Sequence, residues 1–571
     1  MERHNAAVGA LASHIRRLYD QGVPFRIYHG STNSTPPLAF LPKKMVDVSS
    51  LCNVIKVDRG ACTALVEPNV PMDALVDAAL QYGLVPPVVM EFPGITVGGG
   101  FAGTGGESSS FRHGLFDRSV NWIEIVLANG DVVIASPDEK PDLFNGASGT
   151  YGTLGVTTLF EIQLLEAKDL VRLMYIPVSD AREALSVISE EMKKPSVDYL
   201  DGILFAPHRG VVCSGELTNG NGNNDKDLKV QCFNRARDPW FYMHASEVCD
   251  AASWNTPTRE LVPLVDYLFR YDRGSFWTAS YAFQYFFTPF NAVTRWLLAP
   301  LMRARVMYHA LHKSGFSHRY IIQDLALPRA NAEQFLDYIH DTFSCYPLWL
   351  CPIRQQELRS ASLNPRCITV PPADSRNAVA EGYDPIFMNI GVWCPGPASH
   401  GAFVEANRAL EHKLYSLGGK KWLYAHTYYT EDEFWKISSR DWYDRLRKKY
   451  HATSLPTVYE KVRTDPDSGR WTREGIWGIW PIAGVYGVLS AAFGGGYQQH
   501  MQIYPHTLNY PVYRPATTYP YYHGTSGSYS VYGDVNLHYN CNFEDELEHV
   551  NICRLPFSRR YFYRNGAWWS R

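Results

Sequence analysis

Between Ile95 and Phe116 the chain reads ITVGGGFAGTGGESSSFRHGLF, and seven of these 22 residues are glycine. Glycine at that density strips side chains from one stretch of backbone and admits positive φ without strain. Amide groups left free in such turns form nests for phosphate. The stretch therefore predicts close approach of a flat or phosphate-bearing ligand, with Glu107 its one carboxylate. Gly98–Gly103 satisfies GxGxxG, and Glu124 stands at the offset where a dinucleotide fold keeps its ribose-binding acid. That fold needs a long helix straight after the glycines. Thr104–Ser110, TGGESSS, cannot propagate one when each glycine costs about 1 kcal/mol. The sequence predicts instead a long loop laid along a cofactor.

The flanks sharpen this. Asn121–Ile134, NWIEIVLANGDVVI, is a hairpin pattern, two β-branched runs joined by Ala-Asn-Gly-Asp. Asp142-Leu143-Phe144 follows, then Gly146–Gly155, GASGTYGTLG, and the strand pattern VTTLFEIQLL. This order resembles the PCMH-type FAD domain of the vanillyl-alcohol-oxidase superfamily. The resemblance implies an α+β fold in which the glycine loop and the GTLG turn contact the flavin dinucleotide, with Tyr28–Thr35 in the place of the pyrophosphate loop. The implied cofactor-binding residues are Thr96, Val97, Gly98, Gly99, Gly100, Gly103, Thr104, Gly105, Gly106, Glu107, Ser108, Gly152, Thr153 and Gly155.

TVGGGFAGTGGESSS with GLF after it is similar to the delta(24)-sterol reductases within that superfamily, and so are Cys345–Pro352 (CYPLWLCP), Lys421–Trp435 (KWLYAHTYYTEDEFW) and Pro456-x-Val-Tyr. The chain departs from that pattern at Phe111 and His113 and runs about a hundred residues further. The resemblance implies non-covalent FAD, NADPH as co-substrate, and reduction of the C24=C25 side-chain double bond of a sterol or related triterpenoid. An isolated alkene has no carbonyl to polarise. One carbon must be protonated as hydride reaches the other, in a cavity that excludes water. The expected acid lies in the LYAHTYY block, at Tyr424 or His426, with Tyr428 read as a half-buried strand residue. An alcohol or lactone oxidase on the same scaffold and a non-catalytic flavin- or sterol-binding paralogue are the competing readings.

At 571 residues the chain exceeds one core. Residues 1–168 are expected to form the FAD domain, 169–463 a substrate (cap) domain with a segment returning to the flavin, and 464–571 a poorly ordered extension. A net charge of −3 gives no case for nucleic acid, and the 11 scattered cysteines contain no CxxC and predict no metal. Val8, Leu11, Ile15 and Leu18 predict an amphipathic N-terminal helix rather than a signal peptide. Phe276–Met307, dense in aromatics with arginines spaced among them, reads equally as an interfacial membrane segment or an aromatic core. Gly475–Gly496, 22 residues without a charge, is long enough to span a bilayer, though seven glycines and Pro481 oppose a strong helix. By resemblance the protein is membrane-associated, at the cytosolic face of the endoplasmic reticulum.

Overall fold

The computed structural model describes residues 1–29, 45–222, 225–251, 256–354, 386–468 and 480–493, and the backbone of 552–554, 560–564 and 567–570. Two antiparallel sheets organise the chain up to Lys421. The first has five strands in the order Val54–Asp58, Thr63–Val66, Gly155–Gln163, Val120–Leu127 and Val132–Ala135. Its edge hairpin, Val120–Leu127 with Val132–Ala135, is the Asn-Gly hairpin the sequence predicts, and Gly130 takes φ +87° in its turn. Helix Glu2–Asp20 packs beside this sheet and buries Val8, Leu11, Ile15 and Leu18, the stripe read from its periodicity. His4 fixes the helix, its ring set between Glu67 Oε1 (2.8 Å) and Glu124 Oε1 (3.1 Å). Glu124 also accepts a bond from Thr158 Oγ1 (2.6 Å), so the residue at the ribose-acid offset is occupied inside the fold.

The second sheet has eight strands, ordered Thr258–Pro263, Leu170–Val178, Arg209–Thr218, Tyr199–Ala206, Leu348–Arg354, Ile386–Pro395, Tyr320–Pro328 and Lys420–Lys421. Both faces are covered, so its central strands read as unbroken apolar runs rather than alternating ones. Alternate residues still part company. Leu348, Leu350 and Val392 join Ile188, Leu336, Phe403 and Leu410 under the helices Ala181–Glu191, Ala332–Phe343 and His400–Ser416. Trp349 and Trp393 face the core shared with the first sheet.

Three segments differ from the sequence reading. Val97–Gly103 is a short helix, not loop. Thr96 caps it by accepting from Gly99 N, and Val97 and Phe101, one turn apart, are fully buried; the cap and that burial outweigh the helix cost of four glycines. Thr104 ends it in the left-handed region at φ 52°. The aromatic stretch divides. Phe276, Trp277, Ala279 and Phe283 are core, whereas Phe287, Val293, Trp296 and Leu297 are exposed. Within 475–496 the helix is only Ile482–Phe493, 12 residues, and no helix among the described residues is long and apolar enough to cross a membrane.

The pyrophosphate-loop expectation beyond His29 lies outside the described residues, as do 475–479 and most of 497–571. Residues 514–571 form a separate unit, in which Ile552–Arg554, Arg560–Arg564 and Ala567–Ser570 pair as a three-stranded antiparallel sheet.

Candidate active site

The glycine segment and the second sheet face one another across a cavity of ≈ 500 Å³. One wall is backbone: Thr96, Gly98, Gly99, Gly100, Gly103, Gly105 and Gly106 together with the turn at Gly152 and Gly155. Packing dictates several of these glycines. A Cβ on Gly100 would lie 2.2 Å from Met90 Cε, on Gly105 2.8 Å from Met90 Cγ, and on Gly98 2.9 Å from Pro68 Cβ. At Gly99 and Gly103 the nearest such contacts are 3.1 Å and 3.8 Å, so there the missing side chain opens the cavity rather than the core. Val97 and Ser108 are buried away from the space, and Thr104, Glu107 and Thr153 do not line it.

Glu107 has a different task. Its Oε1 accepts from Ser109 N (2.9 Å) and its Oε2 from Ser108 Oγ (2.6 Å), while Ser108 O accepts from Leu200 N (2.8 Å) in the second sheet. Burial raises its pKa, opposed by these bonds and by the charge of Arg270. The Ser108 carbonyl therefore fastens the glycine segment to the second sheet, and Glu107 braces the turn that presents it. Thr153 is likewise taken up, by a 2.7 Å bond from Tyr443 Oη.

The opposite wall is aromatic. Phe276 stacks on Tyr271 (4.0 Å) and lies against Trp393 (4.2 Å) and Trp349 (5.3 Å). The wall is held from behind by Asp201, which accepts from Trp349 Nε1 (3.0 Å), Tyr271 Oη (2.7 Å) and Arg270 Nη2 (2.9 Å). Tyr281, Tyr285, Leu311 and Phe316 continue the apolar lining, which Gly484, Val488 and Ala491 of the C-terminal helix complete.

Into this apolar space project a few polar groups. Tyr424 Oη donates to Asp324 Oδ2 at 2.5 Å, and Asn389 Nδ2 donates to Asp324 Oδ1 at 3.0 Å. The pair arises because Lys420–Lys421 adds to the edge of Tyr320–Pro328. Trp422 N then bonds Asp324 O (3.1 Å) and its indole reaches Thr104 O (2.8 Å), and the chain turns Tyr424 inward. Burial raises Asp324 to about 6 against the pull of both donors. Burial and the Asp324 charge together push the Tyr424 phenol well above its usual range. Glu91 also faces the cavity. Burial, with Asp324 and Glu107 adding to it, raises it to about 8, and its Oε2 has no hydrogen-bond partner among the described residues. An apolar pocket with a few converging polar groups and shifted acids is the arrangement expected of a reaction site.

His426, two residues on, does not join them. Its ring lies 4.9 Å from that of His318 and 6.1 Å from Phe403, away from the cavity, and burial drives it well below the ordinary histidine range. Tyr428 is buried beside it, their rings 6.0 Å apart. Asp324, Glu91 and Asn389 were not read from the sequence. A lone carboxylate in the apolar strand YIIQDLALP was the available signal for Asp324, and VVMEFPG for Glu91.

The residues fit a flavin dinucleotide at one wall: side-chain-free backbone at Gly99 and Gly103, and beside them the buried Nδ1 of His29, which has no partner among the described residues. Comparison with known proteins agrees. Residues 6–136 match the FAD binding domain family. The chain is similar to the delta(24)-sterol reductase of Arabidopsis thaliana, 29% identical over 456 residues that cover 75% of this chain and 78% of the relative. It is similar to that of Homo sapiens, 26% identical over 417 residues, 72% and 76% of the two chains. Cytokinin dehydrogenase 9 of rice is 33% identical over 136 residues, 23% of this chain and 26% of the relative.

Proposed function

We propose, for a chain homologous to the delta(24)-sterol reductases and carrying an FAD binding domain, that it catalyses FAD-dependent, NADPH-driven reduction of the C24=C25 side-chain double bond of a sterol or related triterpenoid. The observation that carries this reading is the cavity itself, in which the glycine wall faces an acid pair across an apolar space. The glycine wall at 96–106 and the turn at Gly152 and Gly155 would hold FAD without a covalent link, and the bound flavin would supply hydride drawn from NADPH. Residues 1–168 supply the flavin wall, and 169–463, with a segment returning to the flavin, supply most of the substrate cavity, which Gly484, Val488 and Ala491 complete.

The second hydrogen comes from the chain. When Asp324 carries a proton it donates to Tyr424 Oη, and the phenol O–H is free to point at the alkene. Tyr424 protonates one alkene carbon as hydride reaches the other, and the Asp324 proton replaces the one lost. The pair ends as neutral tyrosine and carboxylate, so no tyrosinate forms beside a negative charge. Transfer from Asp324, near 6, is far easier than from a phenol raised above 10. The aromatic wall keeps water from the developing positive charge.

A substrate of this kind arrives from a membrane. Phe287 (79% exposed), Trp296 (53%), Leu297 (61%) and Trp480 (52%) offer apolar surface on the segments next to the cavity-lining helices Thr278–Tyr285 and Ile482–Phe493. This surface supports contact with a membrane, which we assign to the cytosolic face of the endoplasmic reticulum. The test is anaerobic stopped-flow. NADPH should bleach the flavin, and a Δ24-sterol should restore its colour with one equivalent of saturated product. Reduction by an alcohol instead of NADPH would mark an oxidase, and no redox response a binding protein.

A further inference from the structure

Among the described residues, a cation stands at the glycine side of the cavity with no carboxylate acting on it. Lys461 belongs to the short helix Val458–Val462, whose start is fixed by the reciprocal bonds of Thr457 and Glu460. Its Nζ donates to the carbonyl oxygen of Tyr151, in the turn that presents Gly152 and Gly155, and it lines the cavity with Gly98, Gly99, Arg26 and His29.

The charge that acts on it is of its own sign. Burial lowers Lys461 to about 8, and Arg26 presses in the same direction; no carboxylate raises it. Burial lowers His29 to about 4, again with Lys461 adding to the effect. Arg26 Nη2 donates to the Glu460 carbonyl (3.1 Å). Glu460 itself turns its carboxylate back to Thr457 N (2.6 Å). Asp47 is the acid that acts on His29, and it is exposed and bonded to Ser49 N (2.8 Å). The intervening sequence 30–44, GSTNSTPPLAFLPKK, contains no acidic residue and two lysines. A half-buried cation with no carboxylate beside it among the described residues is favoured by an anion brought to it.

We propose that Lys461 receives the negative charge of the bound flavin dinucleotide, with Arg26 and His29 completing the seat. The inference rests on FAD being the cofactor. It adds that a residue more than three hundred positions beyond the GTLG turn supplies the charge the glycine wall lacks. Two parts of the dinucleotide carry such charge, the pyrophosphate in either redox state and the ring once reduced.

Lys461→Gln keeps a donor for the Tyr151 carbonyl and removes the charge. Binding of FAD and of riboflavin to apoprotein is followed by flavin fluorescence, and the two-electron potential by dye equilibration. If the pyrophosphate is the anion, the variant binds FAD roughly tenfold or more weakly and riboflavin as wild type does. Inorganic pyrophosphate then competes with FAD in wild type only. If the reduced ring is the anion, oxidised FAD binds unchanged, and a tenfold weaker hold on the reduced form lowers the potential by about 30 mV. Lys461→Arg restores either property. Unchanged FAD affinity together with an unchanged potential overturns the inference, and leaves the reductase reading standing so long as wild type binds FAD. Should Lys461→Gln fail to fold, Lys461→Met carries the same comparison.

Discussion

The two walls of the cavity are built in opposite ways. The glycine wall comes mostly from one stretch, 94–106, in which backbone does the work and side chains are absent. The facing wall is assembled from side chains far apart in the chain; Tyr424 and Asp324 are 100 residues from each other, and Asn389 lies between them in sequence. A cofactor common to many proteins needs only a fixed backbone surface. A substrate-specific step needs a few side chains at set distances, which the sheet provides by pairing strands from different parts of the sequence.

The largest effect should come from the facing wall. Asp324→Asn and Tyr424→Phe should each slow sterol-dependent reoxidation of the flavin by about 100-fold or more, the share a positioned acid contributes. Both should leave FAD binding and NADPH-dependent bleaching intact. Since Asp324 must hold a proton to act and lies near 6, the reoxidation rate should fall as pH rises above about 6 in wild type and lose that limb in Asp324→Asn. Stopped-flow traces across pH check both. Equal loss of bleaching and reoxidation would show that the two walls do not divide the reaction. Glu91→Gln should have a smaller effect, because Glu91, near 8, is already uncharged at neutral pH.

The first sheet carries its own switch in stability. His4 is raised to about 9 by the hydrogen bonds it donates to Glu124 and Glu67, which outweigh its burial. Its folded pKa lies above the unfolded value, so the stabilisation is complete below about 6.5 and is lost as pH rises through 9. The shift corresponds to about 3 kcal/mol. Melting temperature should therefore decline between pH 6.5 and 9, and His4→Gln should flatten that decline. A decline that survives the substitution would place its origin elsewhere.

The same contrast governs what could be read from sequence. The contiguous wall was legible: the glycine run, the Asn-Gly hairpin and the GTLG turn all lie where their residue types predict. Even there the secondary structure of 97–103 escaped, because propensity counts the glycines and does not see Val97 and Phe101 buried one turn apart. The facing wall was legible only in part. Tyr424 and His426 would share a face if the segment were a strand. It turns after Lys421 instead, sending Tyr424 to the cavity and His426 beneath the sheet. Asp324 was hidden in a strand buried on both faces, where no alternation marks the side that meets the cavity.

Within the glycine wall, substitutions should separate packing from binding. Gly98→Ala places a Cβ 2.9 Å from Pro68 Cβ and 3.0 Å from the Pro68 carbonyl oxygen, neither of which can swing aside, and should cost about 1–3 kcal/mol of stability. Gly99→Ala meets only Thr96 Oγ1 at 3.1 Å, so it should leave melting nearly unchanged and weaken FAD by intruding on the cavity. Paired denaturation and FAD titrations distinguish the two. Similar behaviour of both variants would mean that the run serves one purpose throughout.

The smallest effect concerns how a lipid would reach the facing wall. The helix Ile482–Phe493 turns Gly484, Val488 and Ala491 to the cavity and leaves Ile482, Val485, Tyr486 and Leu489 exposed, next to Trp480, whose ring lies 5.4 Å from that of Phe287. Close packing makes this possible. A Cβ on Gly484 would lie 2.4 Å from Tyr285 Cε1, and one on Gly487 2.8 Å from the Ala310 carbonyl. If the outer face rests in the interface of a membrane, each large apolar side chain removed should cost roughly a tenfold loss in partitioning to phosphatidylcholine vesicles. Leu489→Ser and Trp296→Ser should therefore shift flotation with vesicles while sterol delivered in detergent is reduced at the wild-type rate. Unchanged flotation would remove this face from the membrane and leave the cavity, which the inner face lines, untouched. Slower reduction in detergent as well would show that the outer residues support the cavity itself.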